Sequence, residues 1–543
     1  TVSHIGTSHQ TTVYNSIGQP IMRRDPNGRT ETIEYTANGQ IVSAQHPSGG
    51  IRVETYEAGE LQSVTGTAVI ARFYVRGTLE NGTRWNATLL GSTDSSNRFE
   101  VEYYDMLDRL VQKDSSGSSG ITNSVLYIYD VFGRPISETA TQTSPRGMGV
   151  LSRKLFSYDD QNGTKVICKD LNLNSIIDYA GTDEIVMERH LYAIHDNAIW
   201  EEKESYRWPT LWKDEPELLE RRRVQLSNLE NGQQVFESED VLGNVVRTDI
   251  RFDIPEGQMI QTTKFPWSVL PREIVYKHGN LVTIMSESGL TNSFAYDGLN
   301  RRIAEIGSRG EVVSFAYNTA NQVVATSNNV GLVTFYDYND EGQPCSISNS
   351  VGKIESRSYD LQGRLVQATE GITAHRYDYD EFGQLRSIQV VDTTNNQMRS
   401  INFEYDSATG ALISKNFSDG TSWTYEYDAN RQLSLRENSR GIRTSYSYEH
   451  GRLSSLTHDD GTPNWSFKYD RLGRLTAAMS STGQTNLLAY APNGTIITNR
   501  ISDQYRIVKT PDEYGRIIFL CVSSRAFNFR SISNIFISFS FNS

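Results

Sequence analysis

The chain has 543 residues, with 65 Asp and Glu against 52 Lys and Arg and a formal charge of -13 at pH 7. This acidic balance disfavours a nucleic-acid partner, because neutralising phosphates requires a surplus of basic side chains. Only 37% of the residues are hydrophobic and the mean hydropathy is -0.50, which disfavours one large buried core. We find no run of about 18 apolar residues and expect no membrane span.

Cysteines and runs of basic residues are both scarce, which limits the kinds of site to expect. The three cysteines, Cys168, Cys345 and Cys521, are far apart and odd in number, so neither a disulfide framework nor a metal-binding cysteine pair is predicted. The one run of basic residues is the three arginines at 221–223, which we interpret as a solvated face.

The first 160 residues contain weak copies of a repeat. In residues 1–66, which we assign to degenerate repeats, a tyrosine is followed by a glycine every 21 residues: Tyr14 with Gly18, Tyr35 with Gly39, and Tyr56 with Gly59. A fixed period of this size indicates stacked supersecondary units rather than one globular core. Residues 67–160 hold irregular copies of the same repeat, at 104–110 and 129–135.

Residues 161–293 lose the period and are assigned to a divergent β region, although 240–245 still resembles one unit. The region contains four tryptophans, Trp200, Trp208, Trp212 and Trp267. Large aromatic side chains most often pack in the interior, which is the interpretation we favour. Exposed tryptophans could instead stack on sugar rings or bind a partner.

A candidate calcium loop lies inside the divergent region. Oxygen-bearing side chains occupy positions 1, 3, 5 and 9 of the loop, the carbonyl of Ile176 falls at position 7, and Asp183 could reach in from beyond the loop; the four side chains are Asp170, Asn172, Asn174 and Asp178. This spacing resembles an EF-hand or dockerin-type calcium loop.

The candidate loop also departs from that pattern. Position 6 is Ser175, where glycine is expected, and position 12 is Gly181, where a bidentate acid is expected. Two interpretations therefore stay open. One is a weak calcium site, with calcium as the only cofactor; the other is a polar turn with no metal.

The regular repeat occupies residues 294–518. Its carrier tyrosines are spaced by 21, 21, 21, 20, 26, 22, 21, 21 and 21 residues, at Tyr296, Tyr317, Tyr338, Tyr359, Tyr379, Tyr405, Tyr427, Tyr448, Tyr469 and Tyr490. A second aromatic residue usually stands two positions earlier, on the same face of a strand. We expect neighbouring hairpins to pair edge to edge and to stack these aromatic stripes.

Each regular unit predicts two strands and two turns. Asp after the tyrosine accepts a hydrogen bond from the backbone two residues on, and glycine three residues later supplies the positive φ of a tight hairpin loop. We therefore expect left-handed conformations at Gly363, Gly383 and Gly473, and almost no helix. A second turn is predicted between units, at Gly310, Gly331, Gly352, Gly371, Gly420, Gly441 and Gly461.

The repeat code ends near residue 518. Residues 519–543 are rich in Ser, Phe and Ile, and we interpret them as an anomalous tail, truncated or frameshifted. The chain begins with Thr1 rather than Met, so we expect its true N-terminus to be missing and any secretion signal with it.

The Tyr-Asp-x-x-Gly-Arg-Leu units at 359–365 and 469–475 resemble those of the YD-repeat, or Rhs, family. That family includes bacterial toxin shells, toxin-complex shells and animal teneurins. The resemblance implies an all-β fold in which repeated antiparallel β-hairpins form a spiralling ribbon or partial hollow shell. It also implies a bacterial protein that is secreted or located at the cell surface.

The sequence predicts no enzyme, because it contains no metalloprotease, nucleophile-elbow or phosphate-loop motif and only nine histidines. Our leading hypothesis is a noncatalytic shell segment that encloses or displays another polypeptide, a C-terminal toxin cargo by resemblance. The alternative is a cell-surface adhesion module that binds carbohydrate or protein. A glycan-processing enzyme is a third interpretation, and it would require a cleft with paired carboxylates.

Overall fold

The computed structural model of the protein describes residues 2–3, 9–25, 28–91, 98–144, 147–209, 215–230, 232–350, 352–394, 397–501 and 505–524. Within these residues the chain forms 45 strands, a single 3-10 turn at Ser118–Gly120, and no α-helix. Strands that follow one another in sequence pair antiparallel wherever the register is described. The all-β fold of repeated antiparallel hairpins predicted from the sequence is therefore confirmed.

The strands have the following bounds. The first fifteen are β1 (Val2–Ser3), β2 (His9–Tyr14), β3 (Pro20–Arg24), β4 (Thr30–Tyr35), β5 (Ile41–Gln45), β6 (Ile51–Glu57), β7 (Glu60–Thr65), β8 (Arg72–Thr78), β9 (Arg84–Leu90), β10 (Phe99–Tyr104), β11 (Leu110–Ser116), β12 (Thr122–Tyr129), β13 (Pro135–Ser144), β14 (Gly147–Asp159) and β15 (Thr164–Lys169). The next fifteen are β16 (Glu184–His195), β17 (Ala198–Arg207), β18 (Glu217–Gln225), β19 (Gln234–Asp240), β20 (Val245–Asp253), β21 (Gln258–Lys264), β22 (Arg272–Lys277), β23 (Asn280–Met285), β24 (Thr291–Tyr296), β25 (Arg302–Ile306), β26 (Val312–Tyr317), β27 (Val323–Asn328), β28 (Val333–Tyr338), β29 (Pro344–Asn349) and β30 (Gly352–Tyr359). The last fifteen are β31 (Leu365–Glu370), β32 (Thr373–Tyr379), β33 (Leu385–Asp392), β34 (Met398–Tyr405), β35 (Leu412–Phe417), β36 (Ser422–Tyr427), β37 (Leu433–Asn438), β38 (Arg443–Glu449), β39 (Arg452–His458), β40 (Trp465–Tyr469), β41 (Leu475–Ser480), β42 (Thr485–Tyr490), β43 (Ile496–Ile501), β44 (Tyr505–Pro511) and β45 (Ile517–Ser524).

Each unit turns back on itself at the segment after its carrier tyrosine, which we call the repeat turn. In the turn at 360–364, Oδ1 of Asp360 accepts the N–H groups of Gln362 and Arg364, both at 2.9 Å. The N–H of Gly363 bonds to the carbonyl of Asp360 at 3.0 Å, and its φ of 78° is the left-handed value that favours glycine. Gly383 and Gly473 have φ of 77° and 78°, so the predicted turn chemistry is confirmed.

The residue after the glycine joins its turn to the next unit. Where it is arginine, as at Arg364, the guanidinium bonds to Oδ2 of Asp360 at 2.7 Å and lies 4.5 Å from the ring centre of Tyr379. Where it is glutamine, the side-chain amide reaches the next repeat turn instead, and Nε2 of Gln343 donates to the carbonyl of Gly363 at 2.8 Å. Both side chains therefore bridge consecutive units, one by cation–π contact and one by a hydrogen bond.

Carrier tyrosines form a second bridge between units. The hydroxyl of Tyr379 donates to the carbonyl of Leu365, the first residue after the preceding repeat turn, at 2.8 Å. The same bond recurs at other carriers along the ribbon, including Tyr35, Tyr317, Tyr338, Tyr359, Tyr405, Tyr448, Tyr469 and Tyr490. Each hydroxyl thus satisfies a carbonyl that the bulged turn leaves outside the strand ladder.

Stacking of aromatic stripes between neighbouring hairpins stays a prediction. Several repeat tyrosines instead lie against arginine, as in Arg301 with Tyr317 at 4.8 Å and Arg474 with Tyr490 at 4.7 Å. The physical reason is distance. Carriers one period apart are two strands apart, which is about 9.5 Å at the usual strand spacing, and a guanidinium fills that gap.

The chain divides into two compact units. Unit 1 contains Thr1–Val125, Gln142–Gly149 and Asn292–Tyr425, and unit 2 contains Leu126–Thr141, Val150–Thr291 and Glu426–Ser543. Both units therefore hold an early and a late segment of the ribbon. The boundaries inferred from the repeats, at 66, 160, 293 and 518, describe sequence character and stay predictions.

In unit 1 the early and late segments meet through turns rather than through a strand ladder. Nη2 of Arg29 donates to Oε1 of Gln322 at 3.1 Å, and Nε2 of Gln362 donates to the carbonyl of Val69 at 3.2 Å; both pairs are 293 residues apart. The N–H of Ser48 bonds in the same way to Glu341, again 293 residues away. The offset is close to fourteen repeats, so each late repeat turn meets an equivalent place in the early segment.

Apolar cores are small. One in unit 2 is formed by Leu155, Val166, Cys168, Ile185 and Trp208, and it packs against Ile177 and Met187. A second joins Ala198, Trp200 and Val235. Strands in this divergent region are also longer, with 13, 12 and 10 residues in β14, β16 and β17. The lost 21-residue period therefore coincides with longer strands.

Two sequence expectations about the backbone need delimiting. The chain reverses between β29 and β30 as expected, and Gly352 closes that turn as the first residue of β30: it pairs with Asn349, and its N–H bonds to Oδ1 of Asn349 at 2.9 Å. In the expected anomalous tail, residues 519–524 belong to β45, which pairs with β44. Residues 525–543 and Trp212 lie outside the described residues.

Contacts at the turn glycines lead to a first prediction, which compares a repeat turn at Gly342 with a turn between units at Gly310. A Cβ at Gly342 would lie 2.9 Å from both Nη1 of Arg29 and Nε2 of Gln322, whereas a Cβ at Gly310 would meet nothing within 4 Å. The two glycines have φ of 82° and 83°, so alanine suffers the same backbone strain at both, about 1–2 kcal/mol. We expect Gly342→Ala to cost a further ~1 kcal/mol, because it displaces the bridging side chains.

The measurement is amide hydrogen exchange in the two strands that flank each turn, β28 and β29 for Gly342 and β25 and β26 for Gly310, which gives the free energy of local opening. Gly310→Ala is the matched control for backbone strain. Equal losses of protection in the two variants would show that the bridging contacts at Gly342 contribute nothing.

Candidate functional site

All six residues predicted to bind calcium lie on the connection between β15 and β16, in unit 2. We call residues 170–183 the Asx loop. The structure brings two of its carboxylates into the protein interior: Asp170 and Asp183 are 2% and 0% exposed. Ile176 points outward and is 63% exposed, while Ile177 packs against the Trp208 core.

Asp170 organises the first half of the Asx loop. Its Oδ1 accepts the N–H of Asn174 at 3.1 Å, and its Oδ2 accepts the N–H of Ser175 at 2.9 Å. The guanidinium of Arg153, on β14, lies 3.4 Å from Oδ2 and also donates to the carbonyl of Leu173 at 3.1 Å. The buried carboxylate is therefore satisfied by backbone and by a basic side chain, as burial of a charge requires.

Asp183 closes the second half of the loop. Its Oδ1 accepts the N–H of Leu171 at 3.1 Å, and its Oδ2 accepts the N–H of Asp178 at 3.1 Å. The thiol of Cys168 donates to Oδ2 at 3.4 Å. Burial, together with the nearby Asp183 carboxylate, raises the pKa of Cys168, so this cysteine stays a protonated thiol that packs in the core.

The amide side chains of the Asx loop hold its backbone. Oδ1 of Asn172 accepts the N–H of Asn174 at 3.0 Å, and Oδ1 of Asn174 accepts the N–H of Ile176 at 2.8 Å. Ser175, at the position where a calcium loop has glycine, itself adopts a φ of 68°. The Asn172 and Asn174 oxygens therefore accept backbone N–H groups two residues on, which is the Asx-turn contact expected of asparagine.

Arg471 anchors the loop from the late segment of unit 2. It occupies a variable position of the repeat turn that follows Tyr469, and it is 8% exposed. Its Nε donates to the carbonyl of Asp183 at 2.8 Å, and its Nη2 donates to the carbonyl of Asp178 at 3.2 Å. Burial lowers the pKa of Arg471, and the neighbouring Asp183 and Asp178 oppose that shift.

Sequence reasoning missed both Arg153 and Arg471. Neither arginine belongs to a recognisable motif. Arg153 lies on β14, the strand that pairs with β15 ahead of the loop, and Arg471 is 288 residues from Asp183. The offset between early and late repeat turns could have pointed to Arg471. That offset is known only once the two ribbon segments are placed side by side.

The arrangement can be tested for its fit to calcium. A calcium ion requires six to eight oxygens converging on one centre. Here the oxygens of Asp170, Asn172, Asn174 and Asp183 accept N–H groups, and Arg153 places a positive charge against Asp170. Among the described residues no group of three or more His, Cys, Asp or Glu side chains is placed to hold a metal. The loop would have to rearrange to bind calcium, which stays a prediction.

The arginines at 221–223 are not a solvated face, contrary to the sequence interpretation. They lie in β18, and strand alternation sends Arg221 and Arg223 to one side and Arg222 to the other. Nε of Arg221 bonds to Glu204 at 2.6 Å, and both Arg221 and Arg223 contact Glu239, at 2.7 and 3.1 Å. Only Arg222, 70% exposed in its side chain, has the solvated position expected.

Glu204 is the centre of this ion-pair network and is 2% exposed. Its burial acts to raise its pKa, but hydrogen bonds from Arg221, Tyr206 and Arg189 outweigh burial, so the pKa of Glu204 is lowered overall. The carboxylate therefore stays ionised and links β16, β17 and β18 as a cross-strand ion-pair partner.

The three tryptophans described within residues 161–293 occupy three different places. Trp208 and Trp200 are buried in the two apolar cores, which confirms packing for both. Trp267 is 37% exposed, and its ring lies 5.3 Å from Phe265 and 6.4 Å from Tyr514. Of these three, Trp267 is therefore the one that could still contact a partner.

A second prediction concerns the anchor of the Asx loop. Arg471→Met keeps most of the side-chain volume but removes the donors to the carbonyls of Asp178 and Asp183, and unsatisfied buried acceptors cost about 1–3 kcal/mol. We expect faster amide exchange at Leu171 and Asp178. Arg440→Met is the control, since Arg440 lies exposed on a turn of the same unit. If both variants leave exchange in the loop unchanged, Arg471 does not anchor it.

A third prediction keeps the calcium interpretation testable. If the Asx loop is a calcium site, its Kd should be on the order of 10⁻⁴ to 10⁻³ M, as in extracellular modules. Calorimetric titration should then show heats that disappear in an Asp170→Ala/Asp178→Ala variant. An Arg153→Met variant should bind more tightly, because the competing cation next to Asp170 is gone. Equal heats for all three proteins at millimolar calcium would mean that the loop is a polar turn.

Among the described residues the structure has no helix long and apolar enough to cross a membrane. Neither a protein-family model nor a curated protein matches the sequence. Solved structures do match.

The matching structures are toxin complexes. The Tc holotoxin pore of Photorhabdus luminescens aligns with 95% of this chain and 34% of its own, at 11% identity and a TM-score of 0.53. The crystal structure of TcdB2-TccC3 aligns with 96% and 33%, at 12% identity and 0.55, and that of TcdB2-TccC3-Cdc42 with 97% and 35%, at 12% and 0.53. This chain thus spans about a third of the length of those chains and shares their fold over that third. The resemblance to toxin-complex proteins inferred from the repeats is confirmed at the level of fold.

Proposed function

We propose that this chain is a noncatalytic segment of a β-hairpin shell, which encloses or displays another polypeptide in a secreted or surface-located bacterial protein. The observation that carries the proposal is that nearly the whole ribbon aligns with part of the TcdB2-TccC3 chain. The cargo that this function implies is a polypeptide, and a toxin domain is the cargo that the family resemblance suggests.

The construction of the ribbon suits a wall. Consecutive hairpins are joined both by strand ladders and by bridging side chains, and early and late segments are joined through turns. Such a layer needs no thick apolar core, because its polar groups are paired within it and its contacts pass from neighbour to neighbour. A wall of this kind separates an enclosed chain from solvent and proteases.

The fourth prediction tests enclosure in the complete protein that carries this chain. A site for a sequence-specific protease is inserted in the cargo polypeptide, and the control protein carries the same site in the exposed turn at 307–310. We expect the cargo site to be cut at least about tenfold more slowly, since the wall excludes the protease. Equal cleavage rates at the two sites would overturn enclosure.

A second candidate function is adhesion to carbohydrate or protein at a cell surface. The observation that favours it is the partly exposed ring of Trp267, beside Val269, which is fully exposed, and Leu270. Binding of the labelled chain to intact cells, and its loss in Trp267→Ala, would support adhesion. Binding that is equal in the two proteins would remove Trp267 from the argument.

A further inference from the structure

A cavity of about 570 Å³ lies in unit 1, where β6, β7 and β8 approach the repeat turn at 360–364. We call it the arginine cavity. Its apolar wall comes from residues 64 and 68–70, and its polar lining consists of His46, Arg52, Arg72, Tyr74, Gln362 and Arg364. Among the described residues no carboxylate lines it, although the whole chain has an acidic excess.

Two of the three arginines already form ion pairs with carboxylates that do not line the cavity. Arg52 pairs with Glu54, a buried carboxylate that also accepts the hydroxyl of Tyr56 at 2.5 Å. Arg364 pairs with Asp360 at 2.7 Å, as in other repeat turns. These pairs leave the donors of Arg52 and Arg364 oriented but their charge compensated. The formal excess in the cavity is therefore one positive charge, that of Arg72.

Arg72 and Tyr74 lie on one face of β8, two positions apart, and Arg72 stands opposite Val64 of β7. Within the described part of the chain neither side chain has a hydrogen-bond or ion-pair partner, and the same holds for the imidazole of His46. Several donors therefore point to one space with their bonding capacity unused.

Gln362 is fixed in the wall of the cavity. Its Nε2 donates to the carbonyl of Val69 at 3.2 Å. Its Oε1 is buried, so a ligand in the cavity does not reach that oxygen.

We propose that the arginine cavity binds an acidic sugar unit, whose carboxylate bonds to Arg72 and whose ring lies against Tyr74 and the apolar wall. A single carboxylate matches the single uncompensated charge, and a guanidinium binds it in a bidentate manner. The apolar wall and the Tyr74 ring offer a surface for the C–H face of a sugar ring. The volume lies within the usual range for small-molecule sites. This site is separate from the proposed enclosing function.

The test is calorimetric titration of the whole chain with four probes. Glucuronate carries both the carboxylate and the hydroxyl-bearing ring, glucose lacks the carboxylate, N-acetylglutamate lacks the ring, and inorganic phosphate lacks both. We expect glucuronate to bind at least about tenfold more tightly than each of the others, because only glucuronate meets Arg72, Tyr74 and the apolar wall together.

Two variants locate the binding. Arg72→Gln should weaken glucuronate at least about tenfold, since it removes the charged bidentate partner. Arg76→Gln is the matched control, because Arg76 lies on the same strand, outside the cavity, and pairs with Glu60 at 3.1 Å. We expect it to leave affinity unchanged.

Three results would overturn the proposal. Glucuronate affinity that Arg72→Gln leaves intact would place the ligand elsewhere. Phosphate or N-acetylglutamate binding as tightly as glucuronate would assign the cavity to simple oxyanions or to acidic peptides. No heat with glucuronate at tens of millimolar would leave the cavity without this ligand.

Discussion

The structure depends on the bond by which each hairpin is fastened to the one before it. A carrier tyrosine donates its hydroxyl to a carbonyl just after the preceding repeat turn, as Tyr379 does to Leu365. The bulge that makes the turn tight would otherwise leave this carbonyl unpaired. Since such a bond contributes only about 0.5–1.5 kcal/mol, stability comes from its repetition along the ribbon. The acidic and polar composition is compatible with the fold for this reason.

The residue that follows the turn glycine joins its turn to the next unit, and arginine and glutamine do this in different ways. Arginine neutralises the turn aspartate and covers the next tyrosine ring, as Arg364 does with Asp360 and Tyr379. Glutamine bonds instead to the next glycine carbonyl, as Gln343 does to Gly363, and it pairs with asparagine in its own turn. Both side chains fill the space of about 9.5 Å between equivalent strands, which no single aromatic ring can span.

Local structure was predictable from the sequence and distant contacts were not. The 21-residue period and the Asp–Gly spacing determine strands and turns within a few residues, so the left-handed Gly363 and Gly473 followed directly. Gly352 lies at its predicted turn, as the first residue of β30. The loop at 170–183 was identifiable by its Asx residues. Arg471, which holds it, was not, because its partners depend on how two segments 288 residues apart dock.

The offset of roughly fourteen repeats between early and late segments, 293 residues in three contacts of unit 1 and 288 at Arg471, has a consequence for evolution by repeat gain and loss. Removing one 21-residue unit from the late segment would slide every later repeat turn one step along the early one, where most turns would meet similar surroundings. The Asx loop is unlike its neighbours, and Arg471 fits the two carbonyls of Asp183 and Asp178 at one alignment. Irregular segments of such a ribbon therefore fix the register between its early and late parts, which near-identical repeats alone would leave undefined.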